Sequence, residues 1–308
     1  DNIKGKDGLF RKFVLGVSVD YGARLVLSNN RFVQDKYSEM LVDFEHTGVP
    51  LATCCTIFFP YVLKWVKDLF YNEFYLKKMK SFVNAKGEIE TVEVKSPENI
   101  ISDEYITKAI DSFIHSYADR FKTVEVETKD GRKMVIAITG YYQTAKGGNF
   151  ESSTIMKRPA TWTDILYMAC VDVTRDKHVM VTRYPIESPF NIFANKVTVL
   201  STKDTSPAVI NNKVYPNYPI IDPSLPPNVV STKFVDTLNI SNLYLAGLGG
   251  DYDGDQVTVR GIFTQEANKE LEDYMTSKKN ILSISGSNIR KTEKEALQAI
   301  YNFTKTRP

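Results

Sequence analysis

A cluster of three acidic residues constrains the fold of this chain more than any other feature. Residues 249–257 read Gly-Gly-Asp-Tyr-Asp-Gly-Asp-Gln-Val, so Asp251, Asp253 and Asp255 place three carboxylates close together. In an extended strand, residues two apart are separated by about 6.6 Å, whereas Mg²⁺ needs its oxygen ligands at about 2.0–2.1 Å. The segment must therefore curl if all three are to bind one cation, and Gly254 permits the backbone conformation that a curl requires.

Spacing alone leaves other interpretations of this cluster open. Acidic residues beside glycine commonly form solvated turns, which on spacing alone is the better interpretation. A calcium loop of the EF-hand type needs Gly at position six and Glu at position twelve; counted from Asp251, these positions hold Gln256 and Ile262, so that pattern is excluded. Three carboxylates without a cation would repel one another and take up protons, and a bound divalent metal, Mg²⁺, removes this conflict.

The residues on either side of the cluster argue against a surface turn. An apolar run, 243–248, precedes the aspartates, and a run rich in β-branched residues, 257–263, follows them. Two such runs predict two strands of a packed sheet or barrel with the acidic turn held between them. A charged loop on a rigid scaffold is where metal chemistry is expected.

Composition leaves the class of partner open but excludes some kinds of site. The chain has 308 residues, with 39 basic and 37 acidic side chains, so net charge argues neither for nor against nucleic acid. Cys54, Cys55 and Cys170 lack the spacing of a zinc site and are expected to be buried thiols in a reducing compartment. No apolar run reaches membrane-spanning length, so we expect no membrane partner.

Apolar periodicity predicts strands towards both ends of the chain with helices inserted between them. This mixture favours an α+β protein, a β-barrel with helical insertions and C-terminal helices, over alternating βαβ units. The predicted elements are strand, turn and strand over 13–27, a helix from Pro60, a strand over 88–95, a helix over 101–121, a hairpin over 124–139 with its turn at Asp130-Gly131, a loop over 140–158, a helix over 161–170, strands across 178–262, a helix capped by Thr264 and a last helix opened by Thr292.

The acidic loop resembles a signature of the largest, β′-type subunit of multisubunit RNA polymerases, Asn-Ala-Asp-Phe-Asp-Gly-Asp-Gln. Residues 15–24, Leu-Gly-Val-Ser-Val-Asp-Tyr-Gly-Ala-Arg, are similar to the family's Leu-Gly-Lys-Arg-Val-Asp-Tyr-Ser-Gly-Arg. Residues 48–50 and 59–62, Gly-Val-Pro and Phe-Pro-Tyr-Val, resemble its Gly-Leu-Pro and Phe-Lys-Pro-Phe-Val.

Two further blocks follow in the family's order. Residues 162–166 and 181–185, Trp-Thr-Asp-Ile-Leu and Val-Thr-Arg-Tyr-Pro, resemble Trp-Asp-Ile-Leu and Leu-Asn-Arg-Ala-Pro. Residues 275–283, Met-Thr-Ser-Lys-Lys-Asn-Ile-Leu-Ser, resemble Met-Ser-Thr-Asn-Asn-Ile-Leu-Ser. Five motifs in one order are unlike a chance match, although residues 66–160 match nothing in the family.

The resemblance implies a double-psi β-barrel. On this expectation, residues 1–30 and 161–262 form a discontinuous catalytic barrel domain. Residues 31–160 form an insertion of helices and a hairpin, and residues 263–308 form a C-terminal helical segment.

The resemblance also implies a reaction and roles for individual residues. The three aspartates are implied as catalytic residues and ligands of Mg²⁺, and the reaction is attack of the RNA 3′-hydroxyl on the α-phosphate of a nucleoside triphosphate. Arg183 matches the family's arginine that faces the ribose of the incoming nucleotide, and Gln256 is assigned to substrate binding. Arg24 matches an arginine near the nucleic-acid backbone, where arginine pairs with phosphate.

The chain departs from the family in ways that bear on its partners. Gly249 stands where the family has an asparagine that helps to read the ribose hydroxyls, and Thr182 replaces the asparagine before Arg183. A short, divergent chain resembles the split polymerase subunits of large bacteriophages. The implied partners are β-like chains, the remainder of β′, a DNA template, the RNA product and nucleoside triphosphates. Activity is expected only in the assembly, in the cytoplasm of a bacterial host, with packaging in the virion left open.

Two other functions compete with this interpretation. RNA-dependent RNA polymerases of the gene-silencing type also use a double-psi barrel, and their Gly-Gly-Asp-Leu-Asp-Gly-Asp loop matches Gly249 and Gly250 better. The second alternative is not an enzyme but a metal-stabilised structural module of a virion.

Overall fold

A computed structural model describes the greater part of the chain. The described residues are 20–30, 32–33, 36–40, 42–76, 79–83, 89–146, 149–221, 233–277, 280–283 and 285–290. The first strand predicted in 13–27 falls largely outside these ranges, as does the helix predicted from Thr292.

Within the described residues the fold is mixed α+β. The strands are β1 Gly22–Ser28, β2 Phe32–Val33, β3 Lys36–Met40, β4 His46–Pro50, β5 Met79–Val83, β6 Ile89–Glu93, β7 Glu125–Glu127, β8 Lys133–Lys146, β9 Asn149–Pro159, β10 His178–Thr182, β11 Ile192–Leu200, β12 Thr205–Ile210, β13 Lys213–Pro219, β14 Leu238–Asn239 and β15 Gln256–Gly261. The helices are α1 Leu51–Ile57, α2 Phe59–Phe70, α3 Pro97–Ile101, α4 Asp103–His115, α5 Trp162–Thr174, α6 Leu245–Leu248 and α7 Gln265–Thr276.

Six of the strands form a closed barrel in the order β1-β14-β4-β11-β10-β15. The pairs β1–β14 and β11–β4 are parallel, and the other four neighbouring pairs are antiparallel. Alternation along the strands turns Val179, Val181, Val257 and Val259 into the barrel, where all four are buried. The expected barrel in an α+β fold is therefore confirmed.

The second sheet has the order β13-β12-β8-β5-β6, with β7 and β9 also paired to β8. Its longest ladder joins β8 to β9, from Ala137 opposite Pro159 to Lys146 opposite Asn149. The predicted loop over 140–158 was therefore wrong. Glycine and polar side chains suggested a loop, but Tyr141 and Ile155 occupy exposed positions of a strand pair, where backbone pairing outweighs composition.

The strand predicted immediately before the acidic turn was also wrong. Residues Asn242–Tyr244 form a 3-10 turn, which runs directly into α6. Short apolar runs cannot be assigned to strand or helix by periodicity alone. Gly249 in the left-handed conformation ends this helix, as glycine often does.

The barrel and the second sheet are interleaved in the sequence. The barrel strand β4 lies inside the range 31–160 that the sequence assigns to the insertion. Conversely, β12 and β13 lie inside 161–262 but belong to the second sheet. The pattern of strands did not reveal this exchange, because it shows where strands occur and not which of them pair.

The predicted helices and hairpin largely agree with the structure. The helix expected from Pro60 is α2, that over 161–170 is α5, and that over 101–121 is α4 followed by a 3-10 turn. The hairpin of β7 and β8 turns at Gly131, whose φ is 81°. The Thr264 side chain caps α7 by accepting from the amide of Ala267.

Helix α5 packs against both β11 of the barrel and β13 of the second sheet. Cys170 of this helix lies beside Cys54 and Cys55 of α1, and all three are buried free thiols, as expected. None of the described helices is both long and apolar enough to span a membrane.

Candidate metal centre

The three aspartates converge at one end of the barrel, in the loop between α6 and β15. One carboxylate oxygen from each of Asp251, Asp253 and Asp255 lies within 4.8 Å of the other two. Asp251 and Asp253 are exposed, and Asp255 is partly buried. The three residues therefore form one cluster that solvent can reach.

Backbone geometry curls the loop as its spacing predicts. Gly249 has φ 60° and Gly254 has φ 125°, values that glycine adopts without the steric penalty of a side chain. The Gly250 amide donates to the carbonyl of Leu245, which ties the loop to α6. At the other end, the Leu27 amide donates to the carbonyl of Asp255 at 2.8 Å and anchors the loop to β1.

Arg183 is the cation of this site. It follows β10 directly, and its Nε donates to Oδ2 of Asp255 at 2.8 Å. Its backbone amide donates to the carbonyl of Asn191, which fixes where the side chain starts. The structure thus places the arginine predicted to face the ribose beside the predicted metal ligands, 72 residues away in the chain.

Charge within the cluster is unevenly balanced. The hydrogen bond from Arg183 holds the pKa of Asp255 below its usual value, assisted by the amide of Asp251. The hydrogen bond with Asp253, then burial and repulsion from both neighbouring carboxylates, raise the pKa of Asp251. Within the described ranges one arginine faces three carboxylates, so these four side chains retain the negative charge that a divalent cation would neutralise.

The spacing of the oxygens suits a small cation. Oxygens around an octahedral Mg²⁺ ion are about 3 Å apart when they are neighbours and about 4.2 Å apart when they lie opposite one another. Because the three carboxylate oxygens lie within 4.8 Å of one another, side-chain movements of about 2 Å or less would bring them to these distances. Asp251, Asp253 and Asp255 would leave the other positions of an octahedral ion to water or substrate oxygens.

Gln256 and Arg24 lie near this cluster but outside it. Gln256 begins β15 and is exposed, opposite Val26 of β1. Arg24 is exposed on the outer face of the barrel, opposite Thr258. The structure therefore brings Arg183 to the aspartates and leaves Arg24 on an adjoining surface.

Asn191 supports the site and was missed from the sequence. Its Nδ2 donates to the carbonyls of Gly247 and Leu248, the last turn of α6, at 3.3 and 3.1 Å. Its Oδ1 accepts from the amides of Glu187 and Ser188. The one local signal was Ser188-Pro189, since serine before proline often opens a helical turn.

Arg290 supports the same helix from another side. Its guanidinium stacks 4.3 Å from the ring of Tyr244, the residue just before α6. It also donates to the backbone and side-chain oxygens of Asn280. Tyr252, inside the acidic loop, donates to Oδ1 of Asn242 at 2.6 Å, so the middle of the loop is tied to the 3-10 turn that leads into α6.

The comparisons with known proteins assign no family to this arrangement. The chain matches no protein-family model, and no curated protein matches it. Its function must therefore be argued from the three carboxylates, Arg183 and the barrel that holds them.

Proposed function

We propose that this chain carries the catalytic centre of a multisubunit DNA-directed RNA polymerase. The reaction is magnesium-dependent transfer of nucleotides from nucleoside triphosphates to the 3′ end of RNA. Its partners are β-like chains, the remainder of a β′-type subunit, the DNA template and the RNA product. On this proposal the chain belongs to a split, bacteriophage-type enzyme that acts in the bacterial host and is active only when assembled.

One observation carries the proposal: the aspartates of a Gly-Asp-x-Asp-Gly-Asp loop converge beside Arg183 at the end of a closed barrel. A solvated acidic turn would not need an arginine from another strand to fix one of its carboxylates. Two parallel pairs in a six-stranded barrel also support the double-psi topology. The sequence resemblance and the site geometry thus favour the same chemistry.

On this proposal the aspartates and Arg183 have different roles in nucleotidyl transfer. Asp251, Asp253 and Asp255 would hold Mg²⁺, which when bound lowers the pKa of the attacking hydroxyl and stabilises negative charge on the phosphate. Arg183 keeps Asp255 ionised and oriented, and its remaining guanidinium nitrogens can donate to the incoming nucleotide. No covalent enzyme intermediate is required.

Template choice tests the polymerase type. We expect the complex isolated through a tag on this chain to extend RNA on a DNA template, and to be at background on an RNA template of the same sequence. A complex that copies RNA and not DNA would instead identify the gene-silencing type. A complex that copies neither, yet contains all the partner chains, would contradict both polymerase assignments.

Gly249 and Gly250 match the gene-silencing type better, but the conformation of Gly249 does not separate the two families. Its φ and ψ are 60° and 31°, a left-handed conformation that asparagine tolerates better than most residues do. A Cβ built there would have Arg183 Nη1 as its nearest neighbour, at 3.8 Å, which is ordinary contact. Glycine and the asparagine of the DNA-dependent family therefore fit the same backbone.

This fit makes Gly249→Asn a usable variant. We expect it to cost about 1 kcal/mol of unfolding free energy or less, measured by chemical denaturation. In the assembled enzyme we expect it to improve discrimination of ribonucleotides against deoxyribonucleotides by about fivefold, the worth of one hydrogen bond. Gly249→Val is the control, because a β-branched residue is strained at this φ; equal stability of the two variants would contradict the conformational argument.

A further inference from the structure

The outer surface of β1, β15 and β10 is a second feature of the barrel. Residues that alternate with the buried valines face outwards: Arg24 pairs with Thr258, which in turn pairs with Thr182 of β10. One row further from the acidic loop, Arg260 pairs with Gly22 on one side and Met180 on the other. Both arginines are exposed. We call this surface the arginine face.

The arginine face carries positive charge alone. The segments Gly22–Ser28, His178–Thr182 and Gln256–Gly261 contain no Asp or Glu. Among the described residues, neither Arg24 nor Arg260 has a hydrogen-bond or ion-pair partner. Arg132, by contrast, forms ion pairs with both Asp130 and Glu90. Two exposed guanidinium groups that lack such partners within the described part of the chain instead fit an anionic partner.

The spacing of the two arginines suits a repeating anion. They are diagonal neighbours on an antiparallel pair, so their side chains start about 7–8 Å apart. One strand of a nucleic-acid duplex carries a phosphate about every 3.4 Å along its axis, so the two arginines are far enough apart to contact different phosphates of one strand. Thr258 and Thr182 add hydroxyl donors in the same row as Arg24.

The arginine face also adjoins the acidic loop. Asp255 immediately precedes β15, and Thr258 is three residues further on, about 10 Å along the strand. A polynucleotide lying on the face would therefore run towards the metal ligands.

We infer that Arg24 and Arg260 together hold the phosphodiester backbone of a polynucleotide strand on the outer face of β1 and β15. The inference rests on the proposed polymerase function. It adds Arg260 as a phosphate contact and gives the path of the strand across the barrel towards the acidic loop. The arginines and the threonine hydroxyl groups of the protein contact only phosphate and do not contact the sugar, so DNA and RNA strands should bind with similar affinity.

The test is the salt dependence of binding. The full chain is titrated into a labelled single-stranded DNA and into an RNA of the same sequence, with EDTA present, and affinity is followed by fluorescence anisotropy. Each phosphate contact contributes about 0.7 to the slope of log affinity against log salt for single strands. Arg24→Gln and Arg260→Gln should each lower the slope by about this amount, and the double variant by about twice as much.

Arg132→Gln is the matched control, because it removes the same charge from an arginine that already has carboxylate partners. Its slope should equal that of the unchanged chain. An unchanged slope in Arg260→Gln, an equal fall in the control, or a strong preference for one sugar would each overturn the inference. Thermal melting of all four variants, the double variant included, checks that they fold.

The two proposals fail separately. Asp253→Asn removes no cationic contact, so the fall in slope caused by Arg24→Gln and Arg260→Gln should be the same with and without it. If the complex adds no nucleotides but the salt slope of binding depends on the two arginines, only the polymerase assignment is overturned. If the complex is active but the salt slope is the same with and without Arg24 and Arg260, only the inference about the arginine face is overturned.

Discussion

Asp253→Asn is expected to reduce nucleotide addition by the assembled enzyme by more than about 100-fold, since even residues behind metal ligands cost about 10–100-fold when lost. Asp253 is exposed, and its carboxylate lies within 4.8 Å of those of Asp251 and Asp255. Asparagine keeps the shape of the side chain but removes the negative charge that binds a hard cation. The rate of extension of a labelled RNA primer measures the effect.

Metal binding can be measured on this chain without its partners. Mn²⁺ is a suitable probe, because carboxylate ligands suit both Mn²⁺ and Mg²⁺, and free Mn²⁺ gives a paramagnetic resonance signal that bound ion loses. We expect the full chain to bind one Mn²⁺ and Asp253→Asn to bind it much more weakly. Asp273→Asn, at an exposed position of α7, is the control with the same change of charge. Equal binding by both variants would contradict the metal site.

The same variant separates catalysis from a structural role. Asp253 raises the pKa of Asp251, first through their hydrogen bond and then through charge repulsion, so neutralising Asp253 relieves repulsion in the metal-free chain. We therefore expect Asp253→Asn to melt no lower than the unchanged chain when no metal is added. A metal-stabilised virion module predicts the opposite pattern, a fall in melting temperature with RNA synthesis intact.

The acidic site could be predicted from the sequence because its signal is local. The spacing of Asp251, Asp253 and Asp255 and the position of Gly254 required a curl, and the structure has one. The contact between Arg183 and Asp255 could not be derived from spacing, because it joins the ends of two strands that are distant in the chain. Only the resemblance pointed to both residues.

The barrel was predictable as a class and not in its connections. Alternation in Gln256–Gly261 shows which side chains face outwards, but not that β1 and β10 flank this strand. The apolar run 243–248 could form either a strand or a helix. In the structure it contains the short helix α6, which ends at Gly249 in the left-handed conformation. Strand pairing depends on contacts across the whole fold, which a local pattern does not contain.

The largest effect on stability is expected at Asp164, in the first turn of α5. Its side chain is fully buried and accepts two hydrogen bonds from Arg158 at 2.7 Å each. It also accepts from the amide and hydroxyl of Thr161 at 2.8 Å and from the hydroxyl of Tyr218 at 2.5 Å. This residue joins the cap of α5 to strands β9 and β13 of the second sheet.

Asp164→Asn should lower the free energy of unfolding by about 3–5 kcal/mol, the usual cost of breaking a buried pair on one side. Arg158 would keep its charge in a mostly buried position, and the amide of asparagine would meet hydroxyl and amide donors. Chemical denaturation at neutral pH measures the loss. Asp103→Asn is the control, because its ion pair with Lys67 is exposed and its loss should cost about 1 kcal/mol or less.

The effect should also depend on pH with a definite sign. Burial alone would raise the pKa of Asp164, but the charge and hydrogen bonds of Arg158, with those of Tyr218 and Thr161, outweigh it and lower the pKa. A carboxylate with a lowered pKa stabilises the fold above its unfolded value, about 3.9, and this contribution disappears as pH falls through the folded pKa. The stability gap between the unchanged chain and Asp164→Asn should therefore narrow below about pH 4. A double cycle with Arg158→Met should show coupling of more than about 1 kcal/mol, and additive losses would mean that the two residues act separately.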